Sequence, residues 1–211
     1  MRYIKSFAND SAIQEAVDNK TLGKPYVALN DQTGKIDWNG KEASPEGIRI
    51  TNRTSNSGSI VFKKNGNTKK LILKTKVNGG DWSNSIVSAT TTFTLPANGY
   101  VEFKGENTSM SNIISYWAIT VDVDFDLSGE LTSLISASTI SDYCFLNLFG
   151  ANPHLINASG LTITGTGNSA YQGLFLGCTN LVSAPKLIAE LPLAQNAYNS
   201  MFKGCTSLTT A

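Results

Sequence analysis

The sequence predicts a mixed, mostly β chain in three parts. These are a small β-α-β-β unit over 1–42, an antiparallel β-sandwich over 43–127, and a solenoid of short repeats over 128–211. Three observations carry this. "AYQGLFLGCTNLVSA" (170–184) returns in the same pattern as "AYNSMFKGCTSLTTA" (197–211), with eight of fifteen letters identical. "WAITVDVDF" (117–125) alternates apolar with small or acidic residues over its whole length. "NDSAIQEAVDN" (9–19) opens with Ser11 and Gln14 in capping-box spacing and continues into an apolar helical face.

In the N-terminal unit, "YIKSF" reads as a strand. Ile13, Ala16 and Val17 then give one helical face, which Gly23 and Pro25 end. "PYVALNDQTGKIDWNG" follows as two short strands about a Gln-Thr-Gly turn, with Ile36 and Trp38 on one face. A unit of this size is near the limit at which a domain stands alone. It is expected to dock, on the next domain or on another chain.

From 44 to 127 the apolar period becomes two. "SIVFKK", "KLILKTKV", "TTFTLP" and "YVEFKG" are strands, separated by the turn signals "NGN", "NGGDW" and "PANG". The strict alternation of Trp117, Ile119, Val121, Val123 and Phe125 predicts one long strand with a buried face. Strands at this spacing predict two antiparallel sheets packed face to face.

The recurrence has a third copy upstream, "CFLNLFGANPHLINA" (144–158). Phe149, Phe175 and Phe202 lie 26 and then 27 residues apart, and Leu155, Leu181 and Leu208 keep the same spacing. Within a copy Tyr171, Leu174 and Phe175 stand at i, i+3 and i+4, which predicts a short helix, and the stretch from Leu181 to Leu187 suits an extended strand. Such a unit is too small to bury its own apolar face, so neighbouring copies must stack and the terminal ones need caps. Cys178 and Cys205 share one rung with Asn152 and are read as buried thiols rather than metal ligands or redox groups.

At these residues the chain resembles a known family. "YNSMFKGCTSLTTA" and "YQGLFLGCTNLVSAPKL" are similar to the BspA-like, or Treponema-type, leucine-rich repeats of bacterial surface proteins, with their aromatic-Phe-x-x-Cys-x-x-Leu line. The resemblance spans about 128–211 and implies a leucine-rich-repeat solenoid used for recognition or adhesion, without catalytic residues. Asn152 and Pro153 depart from the pattern and mark the first copy as a degenerate cap. "KVNGGDW … TLPANGYVEFKGEN" with "DLSGELTSLI" resembles a β-module that precedes such repeats in proteins of gut Bacteroidales and their phages. "YIKSFANDSAIQEAVDNKTLGKPYVAL" is similar to N-terminal segments of virion proteins in crAss-like phages.

Composition narrows the partners. Seventeen basic and sixteen acidic side chains leave a net charge of +1, without the positive footprint of a nucleic-acid binder. "KKNGNTKK" (63–70) is read as a solvated hairpin tip. There is no run of eighteen apolar residues to span a membrane, and the start lacks the apolar segment of a signal peptide. Three cysteines do not suggest a disulfide framework.

No constellation points to catalysis, and no cofactor is expected. Asp122, Asp124 and Asp126 would stand about 7 Å apart on a strand. The calcium-loop spacing they begin then fails at Leu127 and Ser133. "GTGNSA" (165–170) fits a dinucleotide fingerprint in letters but falls in the variable link between copies. His154, the single histidine, has no partners for a zinc site or a triad. Trp82, Tyr100 and Trp38 are the candidate glycan-stacking rings, Trp82 and Tyr100 foremost, against the commoner role of aromatics in the core or in strand pairing.

The resemblances imply a non-enzymatic virion structural protein, a head fibre or a tail-associated component. Its N-terminal unit would attach to a capsid or tail protein, and its repeats would face a host surface or glycan receptor. Assembly in the cytosol would suit the absent signal peptide and the unpaired thiols. Homo-oligomerisation is expected, because so small an anchor gains interface by repetition or by docking in a socket. The alternative is a bacterial cell-surface adhesin of the BspA-like type. Since Ala211 falls where the preceding copy continues into Pro185, more repeats are expected to follow.

Overall fold

The computed structural model describes residues 4–7, 27–30, 35–38, 45–66, 69–188 and 192–210. It divides into two units, 1–44 and 45–211, each taken by itself below.

In the first unit, β1 (Ile4–Phe7), β2 (Val27–Asn30) and β3 (Lys35–Trp38) form a sheet in the order 1-2-3. β1 runs parallel to β2, and β2 antiparallel to β3 with Leu29 opposite Ile36. A parallel pair needs a long crossover between its strands. The helix expected from Ser11 would lie in that crossover, outside the described residues.

The second unit is mostly β. Its strands are β4 (Ile48–Asn52), β5 (Gly58–Asn65), β6 (Leu71–Val77), β7 (Ser83–Val87), β8 (Thr91–Leu95) and β9 (Tyr100–Gly105). They continue with β10 (Ser111–Asn112), β11 (Ser115–Val121), β12 (Phe125–Glu130), β13 (Leu155–Thr164) and β14 (Lys186–Ile188). They make a four-stranded sheet, 10-11-5-8, and a seven-stranded sheet, 14-13-12-4-9-6-7. Alternate residues of both sheets meet in one core, where the rings of Phe62, Phe93 and Phe103 lie 5.1–5.6 Å apart. Phe62 and Phe103, fully buried, each contribute about 1.5–3 kcal/mol, and Phe93 is partly buried against them. The arrangement is compatible with the expected β-sandwich, and every strand pair from β4 to β12 is antiparallel. The turn at "NGG" is built as its letters require. Asn78 and Gly79 both take positive φ, 46° and 75°, and Gly80 N–H closes the turn on Val77 O at 2.9 Å.

"WAITVDVDF" departs from expectation. It is two strands, not one. β11 ends at Val121, the chain bends over 122–124, and β12 begins at Phe125 in the other sheet. The alternation persists through the bend because both sheets face the same core, so Val121 and Phe125 are buried on either side of it.

β12 also runs through positions 127 and 128, where the second and third parts were expected to meet. It pairs antiparallel with β4 on one side and parallel with β13 on the other. β13 pairs parallel with β14, and an isolated bridge carries the pattern on from Ser183 to Thr210.

The helix expected at Tyr171–Phe175 is absent. Its place is taken by a chain of tight turns, in which every fourth residue is left-handed: Tyr143, Asn147 and Ala151, then Ser169, Gly173 and Gly177, then Asn196, Ser200 and Gly204. In these runs backbone N–H groups alternate. Leu174 N–H donates within its own copy to Tyr171 O at 3.1 Å, while Phe175 N–H donates to Met201 O of the next copy at 3.0 Å. A period of four puts i, i+3 and i+4 on one face as a helix does, which is why the letters looked helical. Glycine, asparagine and serine fill most of the left-handed positions because a larger side chain there is strained.

Candidate functional site

The repeat residues singled out from sequence come together as vertical rows. Phe149 stacks on Phe175 at 6.1 Å and 11°, and Phe175 on Phe202 at 5.8 Å and 4°. Tyr171 lies between Phe145 at 5.6 Å and Tyr198 at 5.3 Å. Leu155 and Leu181 are fully buried, and Leu208 packs against the same core. On the rung below the aromatics, the Cys178 thiol donates to Phe149 O and the Cys205 thiol to Phe175 O, both at 3.1 Å. Burial pushes the Cys178 thiol up to about 12 and raises that of Cys205 as well. These are the properties of inert thiols serving as hydrogen-bond donors.

Asn152, on the same rung, joins the stack to the two sheets. Its amide donates to Phe149 O at 2.9 Å and to Ile119 O at 2.7 Å, and its Oδ1 accepts from Val121 N–H at 3.1 Å. Ile119 N–H donates in turn to Leu148 O at 2.6 Å. The edge of β11 therefore serves the first copy as each copy serves the next. An asparagine is required here because β11 presents both a donor and an acceptor, and a thiol offers only a weak donor.

Trp82 and Tyr100 lie against a charged network on the outward side of the seven-stranded sheet. Arg49 binds Glu102 through Nε at 2.9 Å and Nη2 at 2.6 Å, and Lys76 reaches the other Glu102 oxygen at 3.2 Å. The Arg49 guanidinium sits 4.0 Å from the centre of the Tyr100 ring. Lys104 and Lys76 lie 4.1 and 4.8 Å from that of Trp82, whose indole N–H donates to Glu46 at 3.1 Å. Hydrogen bonds from Lys76 and Trp82 hold the Glu46 carboxyl down to about 2. Burial pulls the Lys76 amine down, but its bonds to Glu46 and Glu102 outweigh this and leave it raised. Both rings are thus engaged by cations of the chain itself.

The three aspartates do not converge. Asp122 accepts from Ser59 N–H at 2.6 Å, Asp124 pairs with His154 at 2.9 Å, and Asp126 takes both bonds from Arg53 at 2.8 and 3.0 Å. The bend at 122–124 turns them to three different partners. At "GTGNSA", a side chain on Gly167 would collide with Ile140 O at 2.6 Å, so this glycine admits a neighbouring loop. A turn follows it, not the helix whose N-terminus a phosphate would need.

A different site lies where the four-stranded sheet meets the first two copies. Lys63 and Tyr116, on the outer sides of β5 and β11, face Leu176 across a cleft of about 390 Å³. Ala118, Gly150 and Gly177 line its small-residue floor, and Thr120 and Asn147 add a hydroxyl and an amide. Among the described residues, no hydrogen bond joins the side chains of Lys63, Tyr116, Thr120 or Asn147 to another protein group. Sequence reading missed this site because its walls are far apart in the chain. The one local signal was the alternation of Tyr116, Ala118 and Thr120 opposite the buried Trp117 and Ile119.

No protein-family model matches the chain, and neither a curated protein nor a solved structure matches it significantly.

Proposed function

We propose that the chain is a non-enzymatic virion structural protein, a head fibre or tail-associated component built on a leucine-rich-repeat solenoid. Its N-terminal β-α-β-β unit attaches to a capsid or tail protein, and its repeats face a host surface or glycan receptor. The observation that supports the reading is the backbone hydrogen bonding that runs from β11 and β12 into the copies, through β13, β14 and isolated bridges. It ties the described copies to the two sheets, which suits a protein that presents its repeats for recognition. The three free cysteines, two of which donate as thiols to carbonyls, accord with assembly in a reducing compartment. Self-association through the N-terminal unit would supply the interface that so small an anchor lacks.

Immunogold electron microscopy of the native source tests this, with one antibody against 1–42 and another against 128–211. Gold on particles, with repeat epitopes exposed and anchor epitopes hidden, is the expected result. Gold on cell envelopes would replace it with the adhesin reading.

A further inference from the structure

We propose that the cleft between the four-stranded sheet and the first two copies binds a short oligosaccharide carrying a carboxylate, with Tyr116 as its stacking surface and Lys63 as its charge partner. The inference rests on the reading of the chain as a recognition protein and gives that recognition a place. Ligand sites are concave, largely apolar, and carry a few polar groups that fix orientation. The cleft fits this description, with Tyr116, Leu176 and a floor of small residues as its apolar surface. Its volume of about 390 Å³ is within the usual range for small-ligand sites.

The polar groups narrow the ligand. The lining contains one cation, Lys63, and no carboxylate, so it favours an anionic group. Lys63 is exposed and Tyr116 and Thr120 are half-buried, and their polar ends, not bonded within the protein, are open to a ligand as well as to water. In a second pocket among the described residues, lined by Thr132 and Thr164, both hydroxyls already donate to Glu130 at 2.9 Å.

The backbone argues against an extended peptide. Strand addition needs a free edge. β5 lies between β11 and β8, however, and the copy-side N–H groups of Asn147, Gly150, Ala151 and Gly177 are all spent on carbonyls. The donors open to a ligand are therefore on side chains, which offer a ring face, hydroxyl and amide groups, and one ammonium. Those groups suit the hydroxyls and acid of a sugar. The rings proposed from sequence, Trp82 and Tyr100, are not part of it.

The test is an NMR titration of the isotope-labelled full chain with sialyllactose, and with lactose as the neutral control. Saturable shifts should map to β5, β11 and 147–151, with lactose weaker by roughly tenfold. Lys63→Gln should remove the preference for the acidic sugar while leaving the remaining spectrum unchanged. Ala118→Leu, which fills the floor without deleting a polar group, should abolish binding of both. The proposal falls if no saturable shift appears by about 10 mM, if lactose binds as well as sialyllactose, or if Ala118→Leu leaves binding intact in a folded protein. Gold on cell envelopes together with intact cleft binding would remove the virion reading and keep the cleft; gold on particles without sugar binding would do the reverse.

Discussion

The two-sheet part and the stacked copies use the same apolar residue types in opposite ways. In the sheets every core position is singular. Trp117 fills a site no other residue repeats, and its indole N–H finds Lys69 O at 2.9 Å. In the stack each residue meets its own counterpart, aromatic on aromatic and rung on rung, 26 or 27 positions away. A core of unique neighbours is stabilised by complementarity of shape. A stack is a sum of similar interfaces, each of which matters mainly to its immediate neighbours. The difference teaches where damage should spread and where it should stay local.

Trp117→Ala breaks the comparison most severely. Removing the largest fully buried side chain should cost about 3–5 kcal/mol and unfold sheets and copies together, since the copies are built on the edge of β11. Denaturant unfolding followed by near- and far-UV circular dichroism checks this. Retention of native signal from the copies alone would show the two parts to be independent.

Asn152→Ala acts at the joint. It leaves Val121 N–H and Ile119 O without their Asn152 partner, while Phe149 O keeps the Cys178 thiol, for a cost of about 2–3 kcal/mol. Hydrogen exchange should quicken in 143–151 far more than at Phe62 or Phe103. Uniform quickening would mean that the joint is not a separate element.

Ala151→Gly should stabilise. Ala151 holds φ of 56°, in a row whose counterparts Gly177 and Gly204 are already glycine, so relief of about 1 kcal/mol is expected in thermal melts. An unchanged or lower melting temperature would count against the turn geometry.

The smallest effect concerns acid. Glu46 ionises at about 2 in the folded chain against an ordinary 4.5. Its contribution is therefore present above the ordinary value and is lost as pH falls from about 4.5 towards 2. The carboxylate side chain is 59% exposed, so screening holds the contribution below about 1 kcal/mol. Melts of Glu46→Gln across that window should show a shallower pH slope than the native chain, and parallel slopes would refute the assignment.

The class of the fold was legible because burial imposes short periods that letters display. The period of two in β5, β6, β9 and β11 and the recurrence of Phe149, Phe175 and Phe202 were both visible. Three things were hidden for physical reasons. A four-residue chain of turns and a helix both bring i, i+3 and i+4 together, and only the left-handed backbone at Asn147, Gly173 and Ser200 separates them. The bend at 122–124 preserved the alternation because the chain crosses between sheets that share a core. The cleft was invisible because Lys63, Tyr116, Asn147 and Leu176 come from four separate stretches. Trp82 and Tyr100 stood out as aromatics, but no spacing foretold the cations that occupy them.

The edge of β11 has a consequence for how the chain acquires its structure. It is a seed face, as a crystal surface is for the next layer. One copy alone has nothing to settle on, but the first finds Ile119 and Val121 already in place, and each layer laid down offers the same pattern to its successor. Order should therefore advance outward in one direction, starting once β11 and β12 are fixed. The layer farthest from the seed would be last to form and first to melt.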